Sequence, residues 1–334
     1  MMPGRGERSY VFAKACGIVG KSFVGKRIPC LLGLGRLSEL DRLVFPASGR
    51  DLPERELLLD LENRIIGRAA RQILSIAGSF SKPPELLVRL VRSYEYSDLK
   101  SCLALIAGDP ADPRLGSRKP PCTDIAPFGT VRFESFPNLP AMLGGTEFEF
   151  LLKKDLGSPE ILQTELDRLY YTKLWEALKK LPKKDRLASE KILSEEISLR
   201  NIVWALRLRI YYGMEAGKIR DRLMPAPGAG VPAALELPLD NREAWKGWER
   251  ESFLNAAHPG EPWRLDPRYF QNAASEYLYR LALHSFRRSP LSIDTSFCFI
   301  KLKQFEEDLL TSVAEGLGLG MPGRDVFSLL EVEP

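Results

Sequence analysis

KACGIVGKSFVGK, residues Lys14 to Lys26, is the stretch on which the fold turns. Read as a phosphate-binding loop, it would open an α/β nucleotide-binding domain. Read as helix, it leaves an all-helical chain. The phosphate loop G-x-x-x-x-G-K-[ST] follows a buried strand and opens a helix. Gly20-Lys21-Ser22 supplies its last three residues, but Ala15 stands where its first glycine belongs. Alanine disfavours the backbone turn that lets N–H groups curl around a phosphate. The lead-in from Ser9 to Ala13 is short, and no apolar run ending in a magnesium-holding acid follows. Tyr10, Ala13 and Gly17, with Ala15, Ile18 and Ser22, instead fall on neighbouring rows of a helix. The spacing predicts an N-terminal helix and no nucleotide site.

The rest of the chain repeats that choice. In LENRIIGRAARQILSIAG, Leu61, Ile65, Ala69, Ile73 and Ala77 recur every four residues, and Gly78 is placed to stop the helix. A second helix is predicted from Ile161 to Leu178, with Ser158 as N-cap, Pro159 in the first turn and Glu160 at the positive end of the dipole. Period-two alternation is rare, and Val131 to Phe136 is the best candidate strand. The fold class predicted is all-α.

Two connectors punctuate the chain: Asp109 to Gly129, with five prolines, and Met224 to Pro232, with three. They divide it into units of about a hundred residues, 1–120, 121–230 and 231–334. Equal thirds call for a search for repeats. Ser38 to Phe45 reads SELDRLVF and Thr164 to Tyr171 reads TELDRLYY. Each unit also closes on a similar run: Tyr94 to Asp109, Glu195 to Gly213 and Lys303 to Gly320. Three divergent copies of one helical unit are expected, with the N-terminal helix packing on the third.

Composition excludes several functions. The 48 basic and 44 acidic residues are interspersed, too balanced a set for a nucleic-acid binder. The most apolar stretch, Ile202 to Met214, carries Arg207 and Arg209 and falls short of the about 20 residues a membrane span needs. Lysines scattered through the first thirty residues do not read as a signal peptide. Cys16, Cys30, Cys102, Cys122 and Cys298 form no C-x-x-C pair, and the histidines, His258 and His284, lie far from them in sequence. Neither a zinc site nor a Cys–His catalytic pair is expected.

Four residues are candidates for a partner interface. Arg207 and Arg209 lie among Trp204, Tyr211 and Tyr212 and could grip an acidic partner; the competing reading packs their stems and leaves the heads in water. Trp245 and Trp248, in EAWKGWER, could anchor a partner or belong to a core. Glu306, Glu307 and Asp308 point in different directions on a helix and read as a solvated helix start rather than paired acid–base carboxylates. Gly316, Gly318 and Gly320, with Pro322, read as a helix end and turn.

Together these segments resemble the C subunit of bacterial and archaeal A/V-type rotary ATPases, whose eukaryotic counterpart is the d subunit of the vacuolar ATPase. The resemblance rests on Tyr10, Ala13 and Lys14 in the first helix, and on Leu166 and Tyr171. It extends through Glu196 to Gly213 with Asn201-Ile202, and through Glu306 to Pro322 followed by Asp325-Val326-Phe327. Asp98-Leu99 and Asp308-Leu309 replace the family's usual Asn-Leu, and Cys16 and Gly17 stand where arginines are common. The resemblance implies a non-enzymatic part without cofactor or metal: a funnel of three helical domains about a pseudo-threefold axis. Such a funnel lies peripherally on the cytoplasmic face of the membrane. It receives the D and F subunits of the central stalk and rests on the proteolipid ring. It would also place GIVGKS inside the first helix. A stand-alone helical scaffold for another soluble protein is the alternative function.

Overall fold

The computed structural model describes residues 4–47, 50–108, 122–154, 159–224, 231–257, 260–288 and 290–330. Ser158, His258, positions 109–121 of the first connector and 225–230 of the second lie outside them. The described residues are all-helical and contain no strand. In chain order the helices are α1 (Arg5–Val19), α2 (Pro29–Leu32), α3 (Leu37–Val44), α4 (Glu54–Ala77), α5 (Glu85–Val91), α6 (Ser93–Gly108) and α7 (Leu139–Leu143). There follow α8 (Pro159–Lys179), α9 (Leu187–Tyr212), α10 (Ala216–Arg220), α11 (Val231–Glu236), α12 (Pro267–Arg288), α13 (Ile293–Gly318) and α14 (Gly323–Leu330).

Local chemistry sets the ends. Glu54 and Glu56 sit in the first turn of α4, and the stripe Leu57, Leu61, Ile65, Ala69, Ile73 is buried along its length before Gly78 ends it. α9 closes on Gly213 at φ 57°, the left-handed conformation glycine adopts without penalty. There the Gly213 and Met214 N–H groups return to the Arg209 and Leu208 carbonyls. The start of α9 is capped from afar: the buried Asp294 carboxylate accepts the Ala188 and Ser189 N–H groups at 2.9 Å each. Those donors have no partner within the helix, and a carboxylate there also meets the positive end of the dipole.

The expected strand at Val131 to Phe136 is a short 3-10 turn over Phe133–Ser135. Its lead-in N–H groups serve a buried acid instead of a neighbouring strand. Glu95 of α6 accepts from the Thr130 and Val131 N–H groups and is paired with Arg92 at 2.6 Å. The first helix is shorter than expected, because Gly20, Lys21 and Ser22 lie beyond its last residue, Val19.

Three buried cores are built from distant parts of the chain. The largest gathers α5, α6 and α8 with parts of α1, α4, α9, α12 and α13. A second joins Phe23 to Ile65 with Leu310 to Phe327, so segments far apart in sequence share it. The third runs from Leu199 in α9 to Ala274 in α12. The copies of ELDRL bury equivalent leucines, Leu40 and Leu166. Their aspartates each meet a cation on a neighbouring helix: Asp41 with Arg64 at 2.7 Å and Asp167 with Lys100 at 2.6 Å.

Gly316, near the end of α13, is required by close approach. A Cβ on Gly316 would lie 2.3 Å from the Cγ2 of Val326, in the face where α13 and α14 meet. Gly316→Ala is therefore expected to lower stability by about 1–3 kcal/mol through overpacking, read as a lower urea midpoint with an unchanged m-value. A shift below about 0.5 kcal/mol would mean that α14 moves aside freely.

Candidate functional site

The phosphate-loop look of Gly20-Lys21-Ser22 dissolves in its geometry. The segment follows the C-terminal end of α1, where the helix dipole repels anions. Its three N–H groups are spent on the carbonyls of Cys16, Ile18 and Val19, leaving none for a phosphate. The Ser22 hydroxyl donates to the Ile18 carbonyl and accepts from Lys303 of α13, both at 3.3 Å. Lys303 is fully buried against the equally buried Glu306, whose Oε1 accepts the Phe23 N–H at 2.9 Å. The segment is a weld between the end of α1 and α13.

A recess of about 530 Å³ lies between α6, α8, α9, α12 and α13. α9 gives it a full stripe, Glu196, Leu199, Arg200, Val203, Trp204 and Arg207, at the three-and-four spacing of one helix face. Where such a stripe is ordinarily apolar, this one alternates charge, aliphatic and aromatic. Opposite it α13 contributes Lys301, Gln304, Phe305, Glu307 and Asp308.

Much of the polar wall is already paired. Lys301 binds Glu196 at 2.7 Å, and the Tyr171 hydroxyl donates to the same carboxylate at 2.8 Å. Burial pushes the Glu196 carboxyl up, but Lys301, Arg200 and those hydrogen bonds outweigh it and hold it below its usual range. Lys100 binds Asp167 from the neighbouring wall. The Tyr94 hydroxyl donates to Glu307 Oε2 at 2.6 Å, and burial drives that tyrosine far above its ordinary range. Tyr96, Tyr170 and Tyr171 stack edge to face in sequence, with ring centroids 5.2 and 5.1 Å apart. The result is a stiff, polar, aromatic wall with no nucleophile–base pair in it. Among the described residues no group of three or more His, Cys, Asp or Glu is placed to hold a metal ion. No described helix is long and apolar enough to cross a membrane.

A sequence model of the ATP synthase (C/AC39) subunit matches residues 52–326. The chain belongs to this family. The C/AC39 subunit is a non-catalytic part of V/A-type ATPases. An uncharacterized protein of Treponema pallidum (strain Nichols) is similar along nearly the whole C/AC39 chain, 28% identical over 322 residues that cover 93% of this chain and 92% of its own. Every residue lining the recess falls within the C/AC39 match.

The four expected interface residues separate. Arg207 lines the recess and donates to Gln271 of α12 at 2.6 Å. Arg209 turns away from it and donates to the Ala234 and Leu237 carbonyls at 2.7 and 2.8 Å. It caps the C-terminal end of α11. Trp245 is 0% exposed and donates its indole N–H to the Pro238 carbonyl at 2.7 Å, so it is a core residue and not an exposed anchor. Trp248 is half-buried, stacked on Phe270 with 5.6 Å between centroids.

Glu306 to Asp308 are no helix start; they sit in the middle of α13. Glu306 faces the buried weld while Glu307 and Asp308 face the recess. Sequence reading also passes over Glu196, Arg200 and Lys301. The signal for them is the charged stripe itself, since an arginine and a glutamate on the buried-side period of a long helix have to face either partners or a recess.

Proposed function

We propose that this chain is the central-stalk subunit that couples the rotor shaft of a V/A-type ATPase to its membrane ring. The recess is the seat for the end of the shaft, formed by the D and F subunits. A different face rests on the proteolipid ring, at the cytoplasmic side of the membrane. The observation that carries this reading is the recess itself: a polar, tyrosine-stiffened cup framed by five helices in a chain of the C/AC39 family. A shaft that turns needs a seat that grips without chemistry, and buried hydrogen-bonded wall residues provide that rigidity. The three helical units expected from the repeats belong to the same proposal, arranged as a funnel about the seat. The machine then moves protons or sodium ions, or makes ATP, while this part only transmits.

The test is a tagged purification from detergent-solubilised membranes, with the co-purifying chains identified by mass spectrometry. Central-stalk subunits and the small proteolipid are expected together, and the isolated protein is expected to hydrolyse no ATP. A soluble monomer recovered alone, beside a rotary complex that assembles without it, would overturn the proposal.

A further inference from the structure

The charges on the recess wall divide into those the wall itself neutralises and those it does not. Asp167 has Lys100, and Glu196 has Lys301. Glu307 and Asp308, adjacent on α13, have no cation within ion-pair distance among the described residues. Glu307 is held only by the Tyr94 hydroxyl, and Asp308 stands open to the recess. The cations nearest to them are committed or set back. Lys303 is buried against Glu306, Lys301 is bound to Glu196, and Arg200 lies over the Tyr171 ring at 5.3 Å.

A wall that leaves two neighbouring carboxylates unpaired, Glu307 half-buried and Asp308 exposed to the recess, while pairing the others at close range, is complementary to a positive group brought from outside. A half-buried charge such as Glu307 left without a cation costs stability, so an arriving cation is worth more there than on an open surface. From this we infer that the segment seated in the recess carries a lysine or arginine that pairs with Glu307 and Asp308. The inference rests on the reading of the recess as the seat of the shaft. It adds the chemistry by which the shaft is recognised: a basic side chain at the tip, aimed at α13. Tyr94 fixes one carboxylate oxygen of Glu307 and leaves the other for the incoming donor.

The surroundings give a second readout. Burial above all, with Asp308 and Asp98 adding to the push and the Tyr94 hydroxyl and Lys303 opposing it, raises the Glu307 carboxyl to about 8. Asp308, though exposed to the recess, is also raised, because the surrounding helices strip part of its hydration and Glu196 adds to the push, while Arg200 and Lys301 oppose it. A carboxyl raised in the empty seat and lowered by an arriving cation releases a proton on docking. Docking therefore tightens as the pH rises from 6 towards 8.

The experiment measures binding of the purified D–F pair from the same source to the full chain, by calorimetry at pH 6 and pH 8. Glu307→Gln with Asp308→Asn keeps shape and hydrogen bonding while removing both charges. At pH 8 the double variant is expected to bind at least tenfold more weakly and to lose the pH dependence. Its thermal midpoint should be unchanged or higher, since no cation in the wall loses a partner. Glu243→Gln, on the exposed surface, should bind like wild type. If the double variant binds as tightly as wild type with the same pH dependence, this inference is overturned and the seat stands. If the wild-type chain does not bind the D–F pair at all, the seat reading falls and takes the inference with it.

Discussion

Glu306→Ala is expected to lower stability by about 3–5 kcal/mol at pH 7, the usual cost of removing one partner from a buried ion pair. Three groups lose their partner at once. Lys303, 2% exposed, keeps only the Ser22 hydroxyl. The Phe23 N–H loses its acceptor, and Arg68 loses the carboxylate 3.5 Å from its guanidinium. The sign of the pH dependence identifies the cause. In the native protein Glu306 counters the cost of burying the ammonium. Burial, with Arg68 nearby, pulls Lys303 down to about 7 even with that pair in place, far below the unfolded value of about 10.4, and removing Glu306 takes away an opposing negative charge. Between those values the unfolded chain binds more protons than the folded one, so the variant gains stability as the pH rises from 7 towards 10. Urea unfolding at pH 7 and pH 9.5 checks both statements. A loss under 1 kcal/mol, or a variant whose stability does not rise at the higher pH, would show that Lys303 escapes to water when its partner goes.

Trp245→Ala is expected to cost a similar amount, about 3–5 kcal/mol, by opening a cavity in the third core. The indole is wholly buried, meets Trp248 edge to face at 5.0 Å, and satisfies the Pro238 carbonyl. Trp248 in turn stacks on Phe270 of α12, so the cavity opens behind a helix that forms one wall of the recess. With the recess as the proposed seat of the shaft, loss of stability should therefore come with weaker binding of the stalk subunits. Trp245→Phe separates the contributions: it keeps most of the ring volume and leaves the Pro238 carbonyl unpaired, for a cost of about 1–3 kcal/mol. Equal losses in the two variants, measured by urea unfolding, would place the energy in the hydrogen bond rather than in the packing.

What could be read from the sequence was whatever is decided locally. Gly78 and Gly213 mark the ends of α4 and α9, because the backbone of a glycine carries its own signal. The four-residue stripe from Leu61 to Ala77 marks the buried face of α4 for the same reason. The start of α9 at Leu187 carries no local mark, since its first-turn donors are served by Asp294, 105 residues beyond Ser189. The run Glu306 to Asp308 reads as solvated in one dimension. Its members are divided between a buried pair that needs Ser22 and Phe23 and a recess that needs Tyr94, and no window along the chain contains both halves. Arg207 and Arg209 look alike for the same reason; one step of helix sends the first to Gln271 and the second to the end of α11.

α13 runs through two of the three cores and past the recess. It enters beneath the largest core at Phe297, passes the recess at Lys301 to Asp308, and ends in the second core at Leu317. Its 26 residues make an unbroken rod of about 39 Å. A couple applied at Glu307 is thus delivered to two separate anchorages, each about 15 Å away along the rod, with no loop between to absorb it. Such a member stores little elastic energy before it passes the load on. Its compliance is set by how firmly Phe297 and Leu317 are clamped, so under the proposed coupling role damping would be tuned in the cores and not at the recess.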